Sequence, residues 1–144
     1  MVKQFSRPST SVVNELNPYT NNADGTINII FYGTLTNNHT LNNNGTLYNF
    51  GTLYNTDEGT LTNAGDGLYT YFGSTLDNDG VLHNNINVTL DNYGTLNNNP
   101  GSTASTLANL GTLNNYSMLI NYSGGWLANG FGGQLWNSGE FTNN

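Results

Sequence analysis

The 144-residue chain has one domain's length, is 35% hydrophobic and only 8% charged, and carries a net charge of −7. Lys3 and Arg7 are its only cations, so nothing from residue 8 onward can neutralise phosphate, which excludes nucleic acid and anionic membrane as partners. With no cysteine there is no disulfide or thiolate metal site, and no apolar run approaches the roughly 18 residues of a membrane span.

Residues 1–25 hold both cations, Pro8 and Pro18, and no repeat unit, and are expected to form an extended N-terminal segment. Their start, MVKQFSRPSTSVV, lacks the apolar stretch of a secretory signal. Either another export route is used, or a signal was removed or replaced, or the chain stays inside. From Thr26 the pattern becomes strand-like, with Ile27, Ile29 and Phe31 alternating with Asn28, Ile30 and Tyr32.

Beyond this point one unit recurs. Leucine followed two residues later by asparagine runs from Leu35/Asn37 to Leu135/Asn137, usually inside G-T-L-x-N, and Phe141/Asn143 closes the series. Within the series Leu68, followed by Thr70, breaks the rule. So short a unit cannot bury its own apolar face and must stack on its neighbours. Helix is excluded because apolar residues do not recur at three and four positions and Gly and Asn interrupt every unit. Thr beside Leu, then Asn and Gly, reads as a short strand and a bend.

In a strand, residues two apart share a face, so each Leu and its Asn point inward while the Thr before and the residue between point outward. Taken in threes, Leu41, Leu61, Leu82, Leu107 and Leu127 mark coils of 20, 21, 25 and 20 residues. The expected fold is all-β: a parallel β-helix with three short strands per coil of about 20 residues and about five coils across residues 26–144. A flatter, two-sided coil is the competing arrangement. Stacking places like residues about 4.8 Å apart, and an inward asparagine is tolerable when its amide bonds those above and below.

The G-x-L-x-N-x-G-x-L rhythm from Gly33 to Asn143 resembles the parallel β-helix repeats of bacterial surface adhesins of the filamentous-haemagglutinin type. That resemblance implies a cell-surface or extracellular setting and transfers no binding residue.

Chemistry is sparse. His39 and His83 occupy variable repeat positions beside no nucleophile motif, so no enzyme activity and no cofactor are expected. The run Asp77-Asn78-Asp79-Gly80, with Asp57, Glu58 and Asp66 nearby, completes no calcium loop, and turn chemistry accounts for it. Sequons such as Asn44-Gly45-Thr46 arise by chance in an Asn/Thr-rich repeat.

The ends and outward faces remain. Residues Lys3, Phe5, Arg7, Val12, Val13 and Leu16, with Phe141 at the last repeat, are expected to join subunits end to end into a structural filament of identical copies. Outward Tyr48, Tyr54, Tyr69, Trp126 and Trp136 offer the alternative, a carbohydrate-binding adhesin surface. Columns of outward threonine (Thr34, Thr52, Thr75 and Thr95 on one side) offer a further one, ice binding.

Overall fold

The structure, a computed structural model, describes residues 2–5, 11–14, 19–99 and 104–144, the first two segments by their backbone alone. Twenty short strands, nearly all of four residues, wind into a three-sided parallel solenoid of about six turns. The first face stacks Val2–Phe5, Thr26–Ile29, Thr46–Asn49, Gly67–Thr70, Thr89–Asn92, Thr112–Asn115 and Gln134–Asn137. The second stacks Ser11–Asn14, Thr34–Asn37, Thr52–Asn55, Thr75–Asn78, Thr95–Asn98, Met118–Asn121 and Glu140–Asn143. The third stacks Tyr19–Asn21, Thr40–Asn43, Thr60–Asn63, Val81–Asn84, Thr106–Asn109 and Trp126–Asn129. Each coil visits the three faces in that order.

Register follows the repeat. Leu41, Leu61, Leu82, Leu107 and Leu127 are successive partners on the third face, so each coil is one triplet of repeats. The uneven leucine spacings come from the corners. A four-residue strand plus a two-residue corner (Phe50-Gly51) gives six, and a four-residue corner (Tyr71 to Ser74) gives eight. The longer corners close with a bond from the fourth N–H to the first carbonyl, as from Gly33 to Ile30 at 2.9 Å. The third residue of such a corner takes positive φ at Gly73, Gly124 and Gly132, but also at Tyr32 and Asn87.

The glycine opening a G-T-L unit answers to close packing between corners and not to a left-handed turn. At Gly51, φ is not positive, yet an added Cβ would overlap the carbonyl oxygen of Gly33 in the preceding coil. At Gly51 the corners stack so closely that a Cβ has no room.

The core is a pair of columns per face. Leucines from Leu41 to Leu107 are wholly buried, each contributing roughly 1.5–3 kcal/mol. Beside them stand the asparagines. On the second face the amide Nδ2 of Asn37 donates to Oδ1 of Asn55, then Asn55 to Asn78, Asn78 to Asn98, Asn98 to Asn121 and Asn121 to Asn143, all at 2.7–2.8 Å. The third face repeats this from Asn21 through Asn43, Asn63, Asn84 and Asn109 to Asn129 at 2.8–2.9 Å. The same Nδ2 atoms also donate to backbone carbonyls, such as Thr60 for Asn37 and Val81 for Asn55. Because a carbonyl can only accept, these second bonds settle which amide atom is nitrogen.

Val2–Phe5, Ser11–Asn14 and Tyr19–Asn21 pair in parallel with Thr26–Ile29, Thr34–Asn37 and Leu41–Asn43, adding one strand to each face. The signal was faint because Lys3, Val12 and Tyr19 stand where leucine stands elsewhere.

Candidate functional site

The side chains that face solvent follow from strand alternation. The outward column in mid-strand of the first face reads Asn28, Tyr48, Tyr69, Asp91, Asn114, Trp136. The second face reads Thr36, Tyr54, Asp77, Asn97, Ile120, Thr142. Trp126 stands on the third face, in line with Thr106 and Val81. The five aromatics expected to share a sugar-binding surface are therefore distributed over three faces. Only Tyr48, Tyr69 and Trp136 share a column, and Asp91 and Asn114 separate the tryptophan from the tyrosines.

The structure gathers a different aromatic set. Where the first face turns toward the second, the corner residue of successive coils is Phe50, Tyr71, Tyr93 and Tyr116. Each donates its backbone N–H to the coil before: Phe50 to Ile29, Tyr71 to Asn49, Tyr93 to Thr70 and Tyr116 to Asn92, at 2.6–3.0 Å. The corners are thereby held in register and their rings stack along the rod. Phe50 and Tyr71 lie 4.3 Å apart at 15°, and Tyr93 and Tyr116 lie 4.5 Å apart at 7°. Tyr71 and Tyr93 are wider, at 6.2 Å and 22°. Tyr48 and Tyr69 stack beside them at 5.4 Å, and Phe31 meets Phe50 at 5.6 Å.

Rings stacked along the axis use their faces on one another and turn their edges outward. This stripe was legible in principle. It is spelled by an aromatic directly after the inward residue, in LYNF, LYTY, LDNY and LNNY, one coil apart.

Charge beside the stripe is negative. Asp91 is the register neighbour of Tyr69 and accepts a hydrogen bond from Asn114 at 2.8 Å. The phenols of Tyr69, Tyr71 and Tyr93 are all raised above the usual tyrosine value, by burial first, with the Asp91 carboxylate contributing to each. On the second face Tyr54 donates to Asp79 at 2.6 Å, and this bond, ahead of burial and the charges of Asp79, Asp57 and Asp77, pushes its phenol up to about 12. Among the described residues, no group of three His, Cys, Asp or Glu could hold a metal ion. His83 faces out beside Thr62 and Ala108.

The outward threonines Thr34, Thr52, Thr75 and Thr95 do form one column, which ends at Met118. Its neighbouring column is the mixed one containing Tyr54 and Asp77, so the face lacks a second row of threonine.

In the rung of Trp126–Asn129, Gln134–Asn137 and Glu140–Asn143, Asn129, Asn137 and Asn143 accept from the asparagines before them, and Asn129 and Asn137 donate to Gly133 and Gly139 of their own corners. Leu127 and Leu135 are partly buried, and Phe141, stacked on Leu119, is 39% exposed. At the opposite end the register sets Lys3 beside Ile27, Phe5 beside Ile29, Val12 beside Leu35 and Val13 beside Thr36. Arg7 and Leu16 lie outside the described residues.

Comparison with known protein families, curated proteins and solved structures finds no match to this chain.

Proposed function

We propose that this protein is a non-catalytic structural rod whose copies stack end to end into an extracellular or cell-surface filament. The observation that supports this most is the common direction of the asparagine amides. Every bond between inward asparagines of adjacent coils runs from Nδ2 of the earlier coil to Oδ1 of the later one, on all three faces. Any coil therefore presents acceptors on the side toward residue 1 and donors on the other. Two copies match head to tail, donor to acceptor, while head-to-head contact opposes like groups. Such a heterologous contact does not close on itself and propagates as a fibre.

The rung of Trp126–Asn129, Gln134–Asn137 and Glu140–Asn143 supplies the rest, through the partly buried Leu127 and Leu135 and the 39% exposed Phe141. Stacking another copy's coil on that rung would bury this apolar surface, as each coil does for the one before it. The adhesin-like rhythm of the repeats favours a surface setting, where rod architecture is a means of spanning distance.

Negative-stain microscopy of the purified 144-residue chain tests the proposal. Filaments one solenoid wide are expected, and Leu135→Glu with Phe141→Glu should leave single rods with an unchanged β-sheet circular dichroism spectrum. Monodisperse 15.6 kDa particles at high concentration would overturn it.

A further inference from the structure

We propose that Tyr93 and Tyr116 form an oxidative cross-linking site, where a one-electron oxidant joins their phenol rings by a carbon–carbon bond and ties two adjacent coils together. The site lies on one lateral corner and is complete within a single chain, so it stands apart from end-to-end assembly.

Geometry picks out the pair. The N–H of Tyr93 bonds the carbonyl of Thr70 at 2.6 Å and that of Tyr116 bonds Asn92 at 2.8 Å, so both residues hold the same place in successive coils. Their rings stack 4.5 Å apart at 7°. The phenol ends lie together as well: burial first, then the Asp91 carboxylate and the Tyr116 phenol, raise Tyr93 above the usual tyrosine value. Parallel rings pointing the same way bring together the carbons ortho to oxygen, where a phenoxyl radical carries spin and couples. Tyr116 is 45% exposed, so an oxidant reaches it from solvent. Holding both partners in place makes their coupling a first-order step.

The other rings of the stripe are less suited. Phe50 and Tyr71 stack as closely, at 4.3 Å and 15°, but phenylalanine has no hydroxyl and yields no phenoxyl radical. Tyr71 and Tyr93 are 6.2 Å apart, and Tyr48 and Tyr69 are 5.4 Å apart with their planes 29° from parallel.

The reaction balances with hydrogen peroxide as oxidant, used through a haem peroxidase. Each phenol loses one electron and its proton. The two radicals join through a Cε carbon of each ring, and the hydrogen on each joined carbon moves back to oxygen as the rings regain aromaticity. The two electrons and two protons released convert one peroxide to two waters. The chain has no cysteine, so this link stands where a disulfide would, closing a loop of one coil and restricting the unfolded chain. Thiols do not reverse it.

The test treats the 144-residue chain with a haem peroxidase and hydrogen peroxide, then cleaves before aspartate, which leaves both tyrosines in residues 91–144. That peptide should lose two hydrogens in mass and gain the blue fluorescence of dityrosine. The undigested chain should still run as a single subunit on a denaturing gel, with a yield indifferent to dilution. Tyr93→Phe and Tyr116→Phe keep the ring stack, and each should lower the yield about tenfold or more. Tyr122→Phe, in the same peptide but outside the stripe, should change nothing. Phe50→Tyr supplies the missing hydroxyl beside Tyr71 and should add a second link. The proposal is overturned if no dityrosine forms, if it forms chiefly between chains or between Tyr48 and Tyr69, if it survives Tyr93→Phe or Tyr116→Phe, if Tyr122→Phe abolishes it, or if Phe50→Tyr adds none.

Discussion

The asparagine columns of the second and third faces run unbroken from coil to coil, whereas that of the first face reads Ile29, Asn49, Thr70, Asn92, Asn115, Asn137. Asn49, flanked by isoleucine and threonine, has no asparagine to bond, yet it is not orphaned. Its Nδ2 donates to Thr75 at 2.8 Å and its Oδ1 accepts from the N–H of Gly51 at 3.1 Å. The difference separates two roles that coincide elsewhere. Bonding to corner backbone belongs to the inward asparagine wherever it stands, and the amide ladder is added when neighbours match. The defect in the first face is Thr70, whose buried hydroxyl has no partner among the described residues.

The largest effect should come from cutting an unbroken column. Asn78→Leu removes the donor for buried Asn98 Oδ1 and the inter-coil acceptor for Asn55, whose Nδ2 keeps the carbonyls of Gly59 and Val81, and it also loses Asn78's own bond to the Gly80 corner. A loss of about 2–5 kcal/mol in urea unfolding is expected. The same change at Asn49 should cost about 1–2 kcal/mol less, because no ladder is cut there. Equal losses would mean that the ladder contributes nothing beyond the corner bonds.

A smaller gain should follow from repair. Thr70→Asn would join Asn49 to Asn92 and remove the unpartnered hydroxyl, raising stability by about 0.5–1.5 kcal/mol, read as an upward shift in Tm. A fall would show that the Gly67-Leu68 strand cannot accommodate the amide.

The smallest effect concerns Tyr54, outside both columns. Its phenol is held protonated by Asp79 up to about 12, above the tyrosine reference of roughly 10. The folded chain thus retains a proton that the unfolded chain releases, so this contribution to stability is whole below pH 10 and is lost as pH rises from about 10 to about 12. The ultraviolet titration difference between the parent chain and Tyr54→Phe should show the late ionisation, and Asp79→Asn should bring it back toward pH 10.

The legible part of the fold was the part written in a single strand. Leu and Asn two apart had to share a face, and the same period repeated so often had to stack, which set the three-strand coil, its length and the inward columns. The outward threonine columns followed from the same counting. The first coil was obscured because Lys3, Val12 and Tyr19 replace leucine, and its strands are recognisable only by pairing with Ile27, Leu35 and Leu41.

By itself, then, the sequence determined what goes inside, because alternation along a strand is a local property. Tertiary structure alone decided what meets across coils. Unequal corner lengths set which outward side chains align, and so dispersed Tyr54, Trp126 and Trp136 while bringing Phe50, Tyr71, Tyr93 and Tyr116 into one stripe. It also decided that Gly51 is glycine for want of space beneath Gly33, and that the inward asparagines all donate to one another in the same direction. Those facts arise from contacts between residues some twenty positions apart, where position in the stack, and not the neighbouring letters, sets the energy.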